Sequence, residues 1–140
     1  LESALKMGET IHIPSCCYEI EEYIHGPNLQ LTPQYNVIFF DGNDGASRRV
    51  EQVYKATRKV SNRAYLISNN PQLSSDDHVL SLSDTVSSEL CPLVYLPFVQ
   101  LLSFIVSNDL HSIYQHPLLK EFKAIAAAKT ENFVNYDGDD

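Results

Sequence analysis

The sequence predicts an α/β protein in which a parallel sheet carries helices on both faces. A continuous apolar run, Val37-Ile38-Phe39-Phe40, is typical of a strand buried on both sides. An amphipathic helical pattern follows it, and a second apolar run, Ala64 to Ser68, comes next. Strand, helix and strand in this order form the crossover unit that pairs two strands in parallel.

The first thirty residues predict two helices with a short strand between them. The chain opens on Leu1-Glu2-Ser3-Ala4-Leu5 without an N-cap, so we expect it to begin inside a helix and to be cut from something longer. Ile11-His12-Ile13 is predicted as a short apolar strand. A second helix is predicted to run from Tyr18 to His25, where Gly26-Pro27 stops it.

After the first apolar run, the segment from Gly42 to Gly45 is predicted to be a turn from strand to helix rather than a phosphate cradle, because Asp44 within it and Asp41 before it would repel phosphate. His78 to Leu82 is predicted as a third strand. The apolar stretch from Pro92 to Ser107 predicts a buried helix that covers one face of the sheet, kinked at Pro97.

The last part of the chain predicts a helix from Leu118 to about Lys129, followed by an acidic tail. We expect one domain over residues 1–132 and a tail over residues 133–140. With 140 residues and 44% apolar residues, the chain can build one hydrophobic core.

Composition excludes several functional classes. A formal charge of −8 argues against a nucleic-acid partner. The apolar stretch from Cys91 to Val106 falls short of the roughly twenty residues of a membrane span, and no secretion signal opens the chain. No histidine or cysteine couplets at ligand spacing predict a metal site, and nothing predicts a cofactor.

The three cysteines, Cys16, Cys17 and Cys91, cannot all pair within the chain, which favours a reducing compartment. We expect Cys16 and Cys17 to be small buried fillers after the predicted strand. A catalytic thiol at either position is the alternative.

Two polar stripes carry groups suited to sugar chemistry. Glu2, Lys6 and Glu9 fall on one side of the first predicted helix, and the second helix places Tyr18 and Glu22 on the side of His25. A carboxylate can move a proton between adjacent carbons, and an imidazole can open a sugar ring. The alternatives are a solvated acid at Glu9, a surface ion pair at Lys6, and a histidine that interacts with a helix dipole.

These residues also carry a family resemblance. The opening Leu1 to Glu9, followed by Tyr18 to Pro27 with its His25-Gly26-Pro27, resembles the second sugar-isomerase (SIS) domain of two-domain phosphosugar proteins. That group includes the isomerase half of glutamine–fructose-6-phosphate aminotransferase and the fructosamine-phosphate deglycases. The resemblance implies a Rossmann- or flavodoxin-like sheet that lacks its first strand here, with a whole SIS domain and the phosphate-gripping loops further upstream.

The resemblance also implies roles for individual residues. Glu9 would be the acid/base for proton transfer, and His25 would assist ring opening, usually in a neighbouring subunit's site. Lys6 and, more loosely matched, Lys129 would contact the open-chain sugar. For Tyr18 and Glu22, orientation of the imidazole and packing or solvation are equal alternatives.

The function implied is that of a cytoplasmic, homodimeric or larger phosphosugar isomerase or fructosamine-6-phosphate deglycase acting on a phosphorylated ketose or ketosamine. The chain alone is expected to be inactive without the upstream domain. The alternative is a non-catalytic sugar-phosphate sensor, because SIS domains also serve as ligand-binding modules in regulators.

Overall fold

The structure, a computed structural model, describes residues 1–82, residues 86–112 and residue 125. Its helices are α1 (Glu2–Ile11), α2 (Ile20–Ile24), α3 (Ser47–Arg58) and α4 (Cys91–Asp109). Its strands are β1 (Val37–Phe40), β2 (Ala64–Ser68) and β3 (Val79–Ser81). Short 3-10 helices, Pro27–Gln30 and Pro71–Leu73, follow α2 and β2.

The three strands form a parallel sheet in the order β1-β2-β3. Val37 is in register with Ala64, and Leu66 is in register with Val79. The predicted fold class, an α/β parallel sheet with helices on both faces, is therefore confirmed. The predicted turn between β1 and α3 is confirmed as well, with Asn43 in a left-handed conformation at φ 51°.

Helix α3 covers the face of the sheet to which Phe39 and Leu66 point. It buries Val50, Val53 and Tyr54 there, as its amphipathic pattern predicts. Tyr23 of α2 extends this core, with its ring edge-on to Phe39 at a centroid distance of 5.8 Å. Helix α2 is thus fixed to the α3 side of the molecule.

Helix α4 covers the opposite face. Side chains alternate along a strand, so Phe40 and Ile67 point away from α3 and pack with Cys91 and Tyr95 of α4. Helix α1 packs in turn on the carboxyl-terminal half of α4, where Ser103 Oγ lies 3.9 Å from Met7 Sδ. Helices α1 and α2 are therefore anchored to helices on opposite faces of one sheet.

Two predictions for the first thirty residues are wrong. Ile11-His12-Ile13 is not a strand, because α1 continues through Ile11, which is buried, and ends where His12 turns to a left-handed φ of 61°. The second helix begins only at Ile20, so Tyr18 lies outside it. Residues 12–19 have no regular secondary structure.

Helix α4 also differs from its prediction. It is not a buried helix, because only 28% of its most apolar 18-residue window is buried. At 19 residues and a mean hydropathy of 1.5, it is also longer than the predicted stretch and meets the length and composition of a membrane span. Core helices of other proteins meet the same criteria, and here Cys91 and Tyr95 bind α4 to the sheet.

Of the predicted helix from Leu118 to about Lys129, only Ile125 is described, and it is helical and exposed. The rest of that helix, including Lys129, and the acidic tail over residues 133–140 lie outside the described residues. The predicted domain limits stay a prediction.

Candidate functional site

The first polar stripe forms as predicted on α1. Lys6 Nζ lies 2.9 Å from Glu9 Oε2 and 3.6 Å from Glu2 Oε1. The hydrogen bond to Glu9, more than any other contact, raises the pKa of Lys6. Glu9 is exposed, so the Lys6–Glu9 pair presents a carboxylate and an ammonium together to solvent.

His25 stands at the carboxyl-terminal end of α2, where its backbone N–H donates to Glu22 O at 3.2 Å. Its side chain is exposed and takes part in no hydrogen bond or ion pair within the described part of the chain. The chain then turns at Gly26 into the first 3-10 helix. An imidazole in this position can reach a molecule outside the fold.

The structure does not join Glu9 to His25. Glu9 belongs to α1, which packs on α4, whereas His25 belongs to α2, which packs on α3. Among residues 1–82 and 86–112, no hydrogen bond or ion pair connects His25 to Glu9 or to Lys6. Glu9 with Lys6 and His25 therefore belong to two parts of the chain with different packing partners.

Glu22 and Tyr18, the two candidate partners of the imidazole, have other contacts. Glu22 forms a capping box with Glu19 at the start of α2, in which each side chain accepts from the other's backbone N–H. Tyr18 is hydrogen-bonded to Cys16, which raises the pKa of the tyrosine. Helix capping and loop contacts, rather than orientation of His25, therefore explain these two residues.

A polar cluster that the sequence patterns did not predict lies at the carboxyl edge of the sheet, centred on the buried Asp41. Its Oδ1 accepts from the Ser47 hydroxyl and from Asn43 N at 3.0 Å. Its Oδ2 accepts from Ser68 Oγ at 2.7 Å. The Asp41 backbone oxygen accepts from Tyr95 OH at 2.6 Å.

This cluster connects four elements by hydrogen bonds: the ends of β1 and β2, the start of α3, and α4 through the side chain of Tyr95. Ligands of open α/β sheets bind at this edge, but both Asp41 oxygens are already used within the chain. We therefore assign the cluster to fastening the layers. A usable signal was present, because Asp41 follows one predicted strand, Ser68 ends the next, and the carboxyl ends of parallel strands meet.

A shallow groove of about 410 Å³ lies between α2, the first 3-10 helix and α3. Tyr23 and Val53 form part of its wall, and Asn28 Oδ1 is buried there without a hydrogen-bond partner among the described residues. Arg49, which also lines it, is occupied by Glu21 at 2.9 Å. His25 lies in the chain between residues that line the groove, directly after Ile24 and three residues before Asn28.

Within the described residues, no group of three or more histidine, cysteine or acidic side chains is arranged to hold a metal ion. The polar groups at hand are therefore the Lys6–Glu9 pair and the separate imidazole. They can transfer protons and hold an anionic or hydroxylated ligand.

The fold has a solved relative. It matches the 1.80 Å crystal structure of a protein from Clostridium difficile 630 that is proposed to be a phosphosugar isomerase, with a TM-score of 0.77 and 21% sequence identity. The match covers 92% of this chain and 36% of that one, so the chain spans about a third of the relative's length. No family model matches the sequence, and no curated protein matches it. At this identity the likeness establishes a shared fold.

Proposed function

We propose that the protein is a phosphosugar isomerase-like enzyme and that this chain supplies part of the site for a phosphorylated ketose or ketosamine. The observation that carries the proposal is the fold shared with the clostridial protein over 92% of the chain. The Glu9 and Lys6 stripe and the His25-Gly26-Pro27 turn support it, because they are the groups that the SIS resemblance assigns to sugar chemistry.

In this proposal, Glu9 carries a proton between the first two carbons of the open-chain sugar. Its carboxylate removes the proton from one carbon, an enediol or enolamine forms, and the same proton returns to the neighbouring carbon. His25 assists ring opening by moving a proton between the ring oxygen and the anomeric hydroxyl. Lys6, one turn from Glu9, contacts the sugar oxygens, and Lys129 is proposed to join it. Isomerisation and deglycation of a fructosamine 6-phosphate share these early steps. Deglycation then also requires water, which hydrolyses the resulting imine to the aldose and the free amine.

We propose further that the complete site forms between subunits. The helices that carry Glu9 and His25 pack on opposite faces of the sheet. In a two-fold dimer, α1 of one protomer would meet α2 of the other where both helices border one self-complementary patch, because each contact across an isologous interface is repeated reciprocally. The exposed position of His25 is suited to such a contribution.

A sensor without catalysis is the second candidate. It is favoured by the exposure of both Glu9 and His25 and by the lack of any hydrogen bond between them in the described chain. A binding module needs only contacts to the sugar and its phosphate, whereas an enzyme needs both groups on one substrate.

Turnover of the full-length protein separates these functions. Hexose 6-phosphates and fructosamine 6-phosphates would be supplied, and isomer formation and amine release followed. We expect Glu9→Gln and His25→Asn each to lower kcat by about a hundredfold or more, the usual size of an acid/base loss.

Matched controls exist on the same elements. Glu2→Gln also removes a partner of Lys6, and His111→Asn changes another exposed histidine just beyond a helix end. Both controls are expected to stay within about threefold of wild type, since each contact is that of an exposed side chain. Turnover of Glu9→Gln and His25→Asn equal to that of these controls would exclude the two residues as the acid/base groups. Absence of turnover in the wild-type protein, with the sugar phosphate still bound, would leave the sensor.

A further inference from the structure

The loop between α1 and α2 exposes two adjacent thiols. Sequence analysis predicts Cys16 and Cys17 to be buried fillers, and this prediction is wrong because both are exposed and free. Cys91, in contrast, is 2% exposed in the core under α4. Cysteine is among the residue types most often buried, so an exposed adjacent pair needs a reason other than packing.

The surroundings of the pair leave both sulfurs accessible. Cys17 Sγ lies 3.1 Å from the backbone nitrogen of Leu1, which places the loop beside the start of α1. Cys16 contacts the Tyr18 hydroxyl, and Tyr18 is itself exposed. No regular secondary structure fixes the loop, so the two side chains can rotate toward one ligand.

The geometry favours a bridging ligand over a direct disulfide. Adjacent Cα atoms are about 3.8 Å apart across a trans peptide, and ordinary disulfides need about 4.4–6.8 Å. A direct S–S bond between neighbours is therefore strained and easily reduced. A larger atom that accepts both sulfurs avoids this strain.

The number of available protein ligands also limits which element the pair can bind. No group of three or more histidine, cysteine or acidic side chains surrounds the pair within the described residues, so the four-ligand shell of structural zinc is not provided. A soft centre that is satisfied by two thiolates fits the sulfurs that are present.

We propose that Cys16 and Cys17 form a chelating site for a two-thiol, thiophilic ligand of the trivalent arsenical class. Both S–H bonds break, two As–S bonds form, and the oxygen of the arsenoxide leaves as water with the two thiol protons. No electron is transferred, so no oxidant or reductant is required. Occupancy would close a small ring in the loop that connects the helix of Glu9 to the helix of His25.

The probe for this site is phenylarsine oxide, added to the protein in the presence of millimolar glutathione and followed by intact-mass spectrometry. We expect one adduct per chain that survives the monothiol and is removed by a dithiol such as 2,3-dimercaptopropanol. Chelation makes the second As–S bond intramolecular, so Cys16→Ser and Cys17→Ser should each weaken binding by at least about tenfold. Cys91→Ser should bind as wild type does.

Circular dichroism of the two loop variants should match that of wild type, because neither side chain is buried. Retention of the adduct in either loop variant would overturn the proposal. Loss of the adduct to glutathione in wild type, or its dependence on Cys91, would overturn it equally.

Discussion

Helices α3 and α4 cover the two faces of the same sheet but differ in which kinds of side chain they bury. Helix α3 buries Val50, Val53 and Tyr54 and turns charged residues outward. Helix α4 buries a strip of small or mixed residues at every fourth position, namely Cys91, Tyr95, Val99, Ser103 and Ser107. Its large apolar side chains face outward, with Leu93 66% and Phe104 65% exposed.

The difference shows what hydrophobic patterning can and cannot predict. In α3, the large apolar residues are buried and the charged residues are not, so the sequence pattern predicts which side packs. In α4, almost every side chain is apolar, and periodicity cannot tell which side packs. Ser103 and Ser107 are buried because α1 approaches α4 closely there. Ser103 contacts Met7 of α1. The Ser112 hydroxyl donates to the backbone oxygens of both Thr10 and Ser107. Small side chains allow that approach.

The largest expected effect lies under α3. Leu66 is 1% exposed in the core between β2 and α3, so Leu66→Ala should lower the free energy of unfolding by about 3 kcal/mol, through lost burial and a cavity. Leu101→Ala on α4, where the side chain is 58% exposed, is the matched control and should change it by less than about 1 kcal/mol. Urea denaturation measures both, and equal losses would contradict the contrast between the two helices.

The second effect concerns the cluster that joins the two faces. Asp41→Asn should lower the free energy of unfolding by about 2 kcal/mol. The amide nitrogen of asparagine cannot accept a hydrogen bond, so it would face a hydroxyl or N–H group that now donates to the carboxylate. Glu51→Gln, which alters an exposed ion pair with Lys55, should cost less than about 1 kcal/mol. A neutral result for Asp41→Asn would mean that the layers are not fastened there.

A third effect is a loss of stability at alkaline pH. Burial raises the pKa of both Tyr54 of α3 and Tyr95 of α4 above the ordinary value of 10.0. A folded-state pKa above the unfolded value gives stability that is present below pH 10 and is lost as pH rises through the folded pKa. The free energy of unfolding should therefore fall above pH 10.

Phenylalanine substitutions test this pH dependence on each face. Tyr54→Phe removes the hydrogen bond to Asp76, and Tyr95→Phe removes the one to the Asp41 backbone, each at a cost of about 1 kcal/mol at neutral pH. Each should also make the alkaline decline shallower. A decline as steep as that of wild type in both variants would show that other groups cause it.

The smallest effect is expected on the outer side of α4. Phe104→Gln should leave the free energy of unfolding within about 0.5 kcal/mol of wild type, because the ring is already mostly exposed. The measurement is urea denaturation alongside binding of an apolar dye, which should decrease. A loss of about 2 kcal/mol or more would mean that this side of α4 is packed.

Much of the fold was predictable, and the reasons are specific. The strands β1 and β2 matched their predicted limits, because their apolar runs end abruptly at Asp41 and Asn69. The loop over residues 12–19 was not predictable, because the pattern of Ile11-His12-Ile13 fits the end of a helix as well as a strand. Ile11 joins α1 since burial of its side chain extends the helix by two residues beyond Glu9.

The candidate site was predictable only in its parts. The Lys6–Glu9 pair follows from helical spacing alone and is present. That Glu9 and His25 would be fixed to opposite sides depends on which long-range partner each helix chooses, α4 or α3, and local patterning does not contain that choice. The Asp41 cluster went unrecognised because its carboxylate was considered only as a group that repels phosphate and not as an acceptor for Ser47 and Ser68.

The central claim is that Glu9 of one protomer and His25 of another serve one sugar phosphate, and subunit complementation tests it most directly. The Glu9→Gln and His25→Asn variants of the full-length protein would be mixed, dissociated and reassociated, and turnover measured. Random pairing makes about half of the dimers mixed, and each mixed dimer has one of its two sites intact. The expected result is therefore roughly a quarter of wild-type activity. A mixture no more active than the two variants measured separately would contradict it.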